Sequence, residues 1–185
     1  LAEADIVFGN LETPLASGLS RGRNVCGDHE SMRRQTNMDP GEPYDGRVYT
    51  GAGFSVNAHP ALALALKNTG FNIVSTANNH SLDRGSAGVD LTIDALRAAG
   101  IDPIGTRRST ESSKDVCTPH AIKDIKGIRI AFFAWTLPLN RFAGLPCSDK
   151  GLHQVSTLTS APPERITGQI VRARDDPAID LVVVS

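Results

Sequence analysis

Apolar runs three to eight residues long, bounded by polar and glycine-rich turns, alternate along this chain with stretches of helical character. Asp5 to Phe8 is a short, mainly apolar run ending in Gly9-Asn10, and it predicts a buried strand. Pro60 to Asn68 is built from Ala and Leu, with proline at its opening and Gly70 just past its end. Its Leu/Ala alternation has a strand's period, but the alanine content and the end signals predict a helix. Phe71 to Thr76 is apolar and partly β-branched, as a buried strand would be. Gly88 to Ala99 predicts a helix whose apolar face carries Leu91, Ile93, Leu96 and Ala99, with Gly100 ending it. A short strand at Ile101 to Ile104 leads to Gly105 and a polar loop through Lys114. His120 to Asp124 and Ile128 to Trp135 predict a hairpin across Lys126-Gly127. The chain closes with a helix over Pro163 to Arg174 and an apolar strand, Leu181 to Val184.

Strand–helix–strand repetition of this kind implies an α/β fold. A mainly parallel or mixed sheet would be covered by helices on both faces. Thr13 to Asn57 interrupts the rhythm with a long stretch rich in Gly, Arg, Asp, Asn and Pro. Loops of that length are usually functional or disordered. The stretch is expected to be a surface excursion beside a site, with a short hairpin around Arg47 to Tyr49; a linker is the competing explanation.

At 185 residues the chain suits one domain. Its 40 % hydrophobic and 21 % charged content are those of an ordinary globular protein. A net charge of −1 provides no overall field favouring nucleic acid or an anionic membrane. The pairs Arg21/Arg23, Arg33/Arg34 and Arg107/Arg108 are most simply solvated surface, with anion binding the alternative, since planar guanidinium suits phosphate and carboxylate. Cys26, Cys117 and Cys147 show no Cys-x-x-Cys spacing, which argues against a zinc knuckle or a thioredoxin-type site. One disulfide with a free thiol and three buried thiols fit equally well. No run approaches ~18 apolar residues, the length that spans a bilayer. No signal peptide is evident, and the chain opens on Leu1, as a fragment or processed product would.

The chemistry concentrates in Ala77-Asn78-Asn79-His80-Ser81-Leu82-Asp83-Arg84-Gly85. A strand running straight into amide, imidazole and carboxylate groups places them at its carboxyl end, where open α/β sheets bind ligands. An Asn oxygen can ligate a hard or borderline cation. His80 can protonate a leaving group or contact an oxyanion, and Asp83 is near enough in sequence to orient the imidazole. The same residue types also close turns, so a purely structural loop is the competing reading.

These nine residues resemble the "ANNHSLDxG" signature of the bacterial capsule-synthesis proteins of the CapA and poly-γ-glutamate-synthesis type. Ala4 to Leu15, Ala-Asp-Ile-Val-Phe-Gly-Asn-Leu-Glu-Thr-Pro-Leu, resembles the family's "ADLVFANLETPL". Phe54 to Pro60 is a weaker third match. The resemblance implies a calcineurin-like metallophosphoesterase fold, a layered sandwich with residues 1–185 forming part of the domain. Asn10 and Glu12, two apart in an extended chain, would both face the site as metal ligands, Glu12 the anionic one and Asn10 nearer the position where the phosphoesterase fold has its Asp. By the similarity of the signature to the "GNHEFDxG" block of 5′-nucleotidases, Asn79 would be a further metal ligand. His80 would contact the scissile group, Asp83 would be its partner, and Gly85 would permit a turn or close helix approach. The cofactor implied is a divalent ion, Mn, Zn, Mg or Fe.

The same resemblance places a "GD" strand before Leu1 and histidine blocks beyond Ser185. It implies a metal-dependent hydrolase in a longer chain, with little activity from residues 1–185 alone. Its expected substrate is an anionic polymer or a phosphate ester, its setting the cell envelope, its partners other capsule-synthesis proteins. A non-catalytic subunit that binds polymer or partner enzymes is one alternative, and a 5′-nucleotidase-like phosphoesterase another. Asn78 stands where the nucleotidase pattern has glycine, which favours the capsule family. His59 before Pro60 reads as structural, and no role is assigned to His29, His120 or His153.

Overall fold

The computed structural model describes residues 3–16, 56–111, 120–137, 139, 154–158 and 162–185. Three short strands, β1 (Phe8–Asn10), β2 (Ile73–Ser75) and β3 (Asp102–Ile104), lie parallel in that order. Helix α1 (Ala61–Asn68) precedes β2, and helix α2 (Gly85–Ala98) connects β2 to β3. A second sheet follows. β4 (Ala121–Ile125) and β5 (Ile128–Phe133) form an antiparallel hairpin, and β6 (Leu181–Val184) returns through helix α3 (Pro163–Asp175) to lie parallel to β5. Lys126 and Gly127 both take positive φ, +54° and +86°, as a tight hairpin turn requires.

Alternation along the strands sets the layers. Ile73 and Ile104 from the first sheet meet Ile130 and Phe132 from the second in one apolar core. Val74, on the opposite face, packs with Ala63 of α1 and Leu96 of α2. Ala131 and Phe133 turn the other way, onto Ala173 of α3. The order is helix, sheet, sheet, helix. Burying a side chain such as Phe132 contributes about 1.5–3 kcal/mol. The α/β class expected from the sequence is what folds, as two sheets back to back rather than one sheet between helices.

Pro103 supplies a reason for the split. Asp102 donates its N–H to Asn72 and Ile104 accepts from Thr76, so both direct their backbone groups toward β2. Pro103 between them faces the open edge, where its missing N–H costs no ladder bond and offers none to a further strand.

Element boundaries differ from expectation at two places that matter for the site. The first strand begins at Phe8 and continues through Asn10, because Asn10 pairs with Ser75, while Asp5 is exposed and bridged to Lys126. Helix α2 starts at Gly85, a turn earlier than its apolar pattern suggested; the Gly88 N–H already reaches the Arg84 carbonyl. The Arg47–Tyr49 hairpin, the three cysteines, His29 and His153 lie outside the described residues. The two ends of the long excursion are described, and both are buried rather than superficial. Ala16 N–H donates to Asn57 Oδ1 and Asn57 Nδ2 donates to the Ala16 carbonyl, at 2.9 and 3.1 Å. Leu15 N–H donates to Thr92 of α2 at 2.9 Å.

Candidate functional site

Parallel strands deliver their carboxyl ends to one edge, so Asn10 lies opposite Ser75, and Ser75 opposite Ile104. Beyond that edge come Leu11-Glu12 from β1, Thr76 to His80 from β2 and Gly105-Thr106 from β3. Asn10 and Glu12 are exposed, and Asn79 and His80 are half-buried. The residues singled out in the sequence therefore share one edge. Asn78 joins the two blocks by hydrogen bonds: its Nδ2 donates to the Leu11 carbonyl at 2.8 Å and to Asn10 Oδ1 at 3.3 Å.

His80 Nδ1 lies 2.7 Å from Asp83 Oδ2. The imidazole keeps 14 % of its side chain exposed, whereas the carboxylate keeps 1 %. A buried acceptor behind a partly exposed ring fixes the tautomer: Nδ1 carries the hydrogen toward Asp83. The same Asp83 oxygen accepts the Val56 N–H at 2.7 Å. Burial raises the Asp83 carboxyl above its usual range; the Val56 N–H, His80 and Arg84 pull the other way. A carboxylate with raised proton affinity is a strong acceptor for the Nδ1 hydrogen.

The turn that sets this geometry is built from small polar side chains. Ser81 N–H reaches the Asn78 carbonyl, and Ser81 Oγ lies 2.6 Å from the Thr76 carbonyl and accepts the Asn78 N–H at 2.9 Å. Gly85 takes φ +63° where the turn enters α2, the left-handed conformation that a glycine adopts without strain. Arg84 is fully buried, and its Nη1 donates to the Asp83 carbonyl at 3.0 Å. Gly88 makes room for it: a Cβ there would meet Arg84 Cβ at 2.4 Å. Three of these features, the Asn78 bridge, the Val56 tie and the buried Arg84, were not singled out from sequence. The Asn78–Ser81 spacing was the available signal, since an Asn or Ser side chain at such offsets competes for local backbone groups.

Asn10, Glu12 and Asn79 offer oxygen donors of the kind a hard cation takes, with one carboxylate among them. Among the described residues no three His, Cys, Asp or Glu come together as a metal-holding group. The donor set suits a cation in kind and falls short of a complete centre in number.

His120 stands apart from this edge's chemistry. Its Nδ1 accepts the Ala134 N–H at 2.8 Å, and its ring packs beside Phe133 and Trp135, centroids 6.1 and 5.2 Å away. Burial, with Arg107 nearby, lowers its pKa to about 4. It is a neutral, structural histidine. His59 Nδ1 accepts the Ala61 N–H at the start of α1, as the structural reading expected.

A family model for bacterial capsule synthesis protein PGA_cap matches residues 1–185. The capsule biosynthesis protein CapA of Bacillus anthracis is 30% identical over 123 residues, which are 65% of this chain and 28% of that protein. The matched stretch is thus just over a quarter of the relative's length.

Proposed function

The chain belongs to the bacterial capsule synthesis PGA_cap family, and from that premise we propose that its β1–β2 edge is a hydrolytic site acting on an anionic capsule polymer or a phosphate ester. The observation that carries the reading is the 2.7 Å contact between His80 and the buried Asp83 at the edge where Asn10 and Glu12 also emerge. In this reading His80 moves a proton at Nε2, giving it to the leaving oxygen or nitrogen. Asp83 holds Nδ1 and stabilises the imidazolium form, and the Val56 N–H fixes the carboxylate behind it. Excluding water from Asp83 strengthens that pairing, because the charges interact in a less polar medium.

We assign Asn10, Glu12 and Asn79 to the oxygen-donor side of a divalent cation, Mn, Zn, Mg or Fe, which when bound would polarise the scissile group. Its other ligands would come from elsewhere in the protein. A poly-γ-glutamate substrate, a cell-envelope setting and capsule-assembly partners belong to the same proposal. The test is hydrolysis of bis(p-nitrophenyl) phosphate and of a γ-glutamyl polymer by the full-length protein, titrated with each metal, with His80→Ala as comparison. Loss of turnover in the variant supports the site. No turnover by the folded wild type on either substrate would replace this reading with that of a polymer- or partner-binding subunit.

A further inference from the structure

From the geometry at the strand ends we infer that Asn78 is a positioning residue, an amide clamp that sets His80 against the Asn10–Glu12 segment. The inference rests on the hydrolytic reading above and extends it to a residue that lies behind the proton-transferring group. Asn78 is 7 % exposed, and its side-chain amide bonds to both blocks. Its Oδ1 accepts the His80 backbone N–H at 3.1 Å. Its Nδ2 donates to the Leu11 carbonyl at 2.8 Å and to Asn10 Oδ1 at 3.3 Å. An acceptor on one side and two donors on the other fix which way the amide is turned.

The consequence is mechanical. β1 stops at Asn10 and β2 at Ser75, so past those residues no ladder bonds run between the strands except that from Leu11 N–H to Ser75 O. Through Asn78 the backbone that carries His80 is tied to the backbone that carries Asn10 and Glu12. Glycine could not make that tie, and neither could serine reach both sides. The Ser81 hydroxyl accepts the Asn78 backbone N–H at 2.9 Å, which leaves the side-chain amide to the clamp. Its contribution is the separation between proton donor and the opposing oxygen groups. Misplacing reacting groups by about 1 Å can cost as much as 10²-fold in rate.

Two variants of the full-length protein separate the halves of the clamp. Asn78→Asp keeps the acceptor for the His80 N–H and loses both donors, whereas Asn78→Ala loses everything. The readouts are kcat and KM on bis(p-nitrophenyl) phosphate, the melting temperature, and the NMR signals of the Asn10 side-chain amide and the His80 backbone N–H. The expected result is a fall in kcat of about 10- to 100-fold in both variants, with KM within about threefold. The Asn10 amide signal should move in both, while the His80 N–H signal moves only in Asn78→Ala. Wild-type turnover in Asn78→Asp would overturn the clamp and leave Asn78 a local turn residue. A drop tracking only the melting temperature would also overturn it. If the wild type hydrolyses nothing, the hydrolytic reading fails on its own. The clamp is then judged by the NMR signals alone: an unmoved Asn10 amide in Asn78→Asp refutes it.

Discussion

Two histidines lie at strand ends of the two sheets, and their surroundings give them opposite characters. His80, past the end of β2, keeps part of its ring exposed and sets Nδ1 on a buried carboxylate. His120, at the start of β4, sets Nδ1 on a backbone N–H, so its hydrogen sits on Nε2, facing Ser156 Oγ at 3.4 Å. The rings of Phe133 and Trp135 pack beside it, and burial, with Arg107 nearby, lowers its pKa to about 4. One ring is tied to a buried carboxylate, the other to a backbone N–H. The parallel sheet therefore ends in an imidazole–carboxylate pair, and the mixed sheet ends in packing.

The strongest way to break this contrast is to remove each ring in turn. His80→Ala should lower turnover by about 10²–10⁴-fold, the range for a lost acid–base group, and leave the melting temperature nearly unchanged. His120→Gln should leave kcat within about threefold and lower the melting temperature instead. The comparison fails if the two variants exchange these outcomes.

A second way is to force the sheets apart where the two ends meet. Gly105 takes φ +83°, and a Cβ there would lie 2.5 Å from Ala77 Cβ and 2.9 Å from Ala134 Cβ. Ala77 leads into the site's loop, and Ala134 is the residue that donates to His120. Gly105→Ala combines left-handed strain with overpacking, and should cost about 3–4 kcal/mol in chemical denaturation. Loss of both turnover and stability is expected, because both strand ends must shift.

Much of the element order was legible in the chain, and the reasons differ by element. Ile130-Ala131-Phe132-Phe133 has a run of apolar residues on both faces, which marks a strand covered on two sides. Lys126-Gly127 announced its turn, and Leu181 to Val184 is the strand the pattern drew. The division into two sheets was not legible, since it depends on which strands pair, and Pro103 acts only through its side of the ladder. In the site, Asp83 was visible as a carboxylate three residues from His80. Its Val56 tie was not, because that bond spans 27 residues. His120 lay in no motif, and only its rings and its backbone donor disclose what it does.

Acid titration sharpens the contrast on the stability side. His120 has a folded pKa of about 4 against an ordinary value of 6.5, so the unfolded chain takes up the proton first. Its contribution is fully present above 6.5 and is lost as the pH falls toward 4, about 3 kcal/mol over the whole window. Asp83 has the opposite sign. Its raised carboxyl favours folding while protonated, and that contribution fades as the pH rises through its folded value. The two groups oppose each other in acid. His120→Gln should flatten the fall in stability between pH 6.5 and 4, and Asp83→Asn should steepen it. Parallel urea titrations at several pH values decide both; identical slopes in all three proteins would remove the linkage.

The smallest effect concerns what holds the two sheets together at the surface. Lys123 on β4 pairs with Asp102 on β3, and both side chains are a third or more exposed. The pair crosses between sheets, which makes it look like a strut. Water screens it, and holding a long lysine in one place costs side-chain entropy, so exposed pairs of this kind contribute about 0–1 kcal/mol. The apolar seam of Ile73, Ile104, Ile130 and Phe132 lies beneath it and is shielded from salt. Lys123→Met should therefore cost less than about 1 kcal/mol, and about 1 M salt should erase the difference from wild type. A loss of several kcal/mol that survives high salt would mean that charge, and not the seam, joins the sheet bearing His80 to the sheet bearing His120.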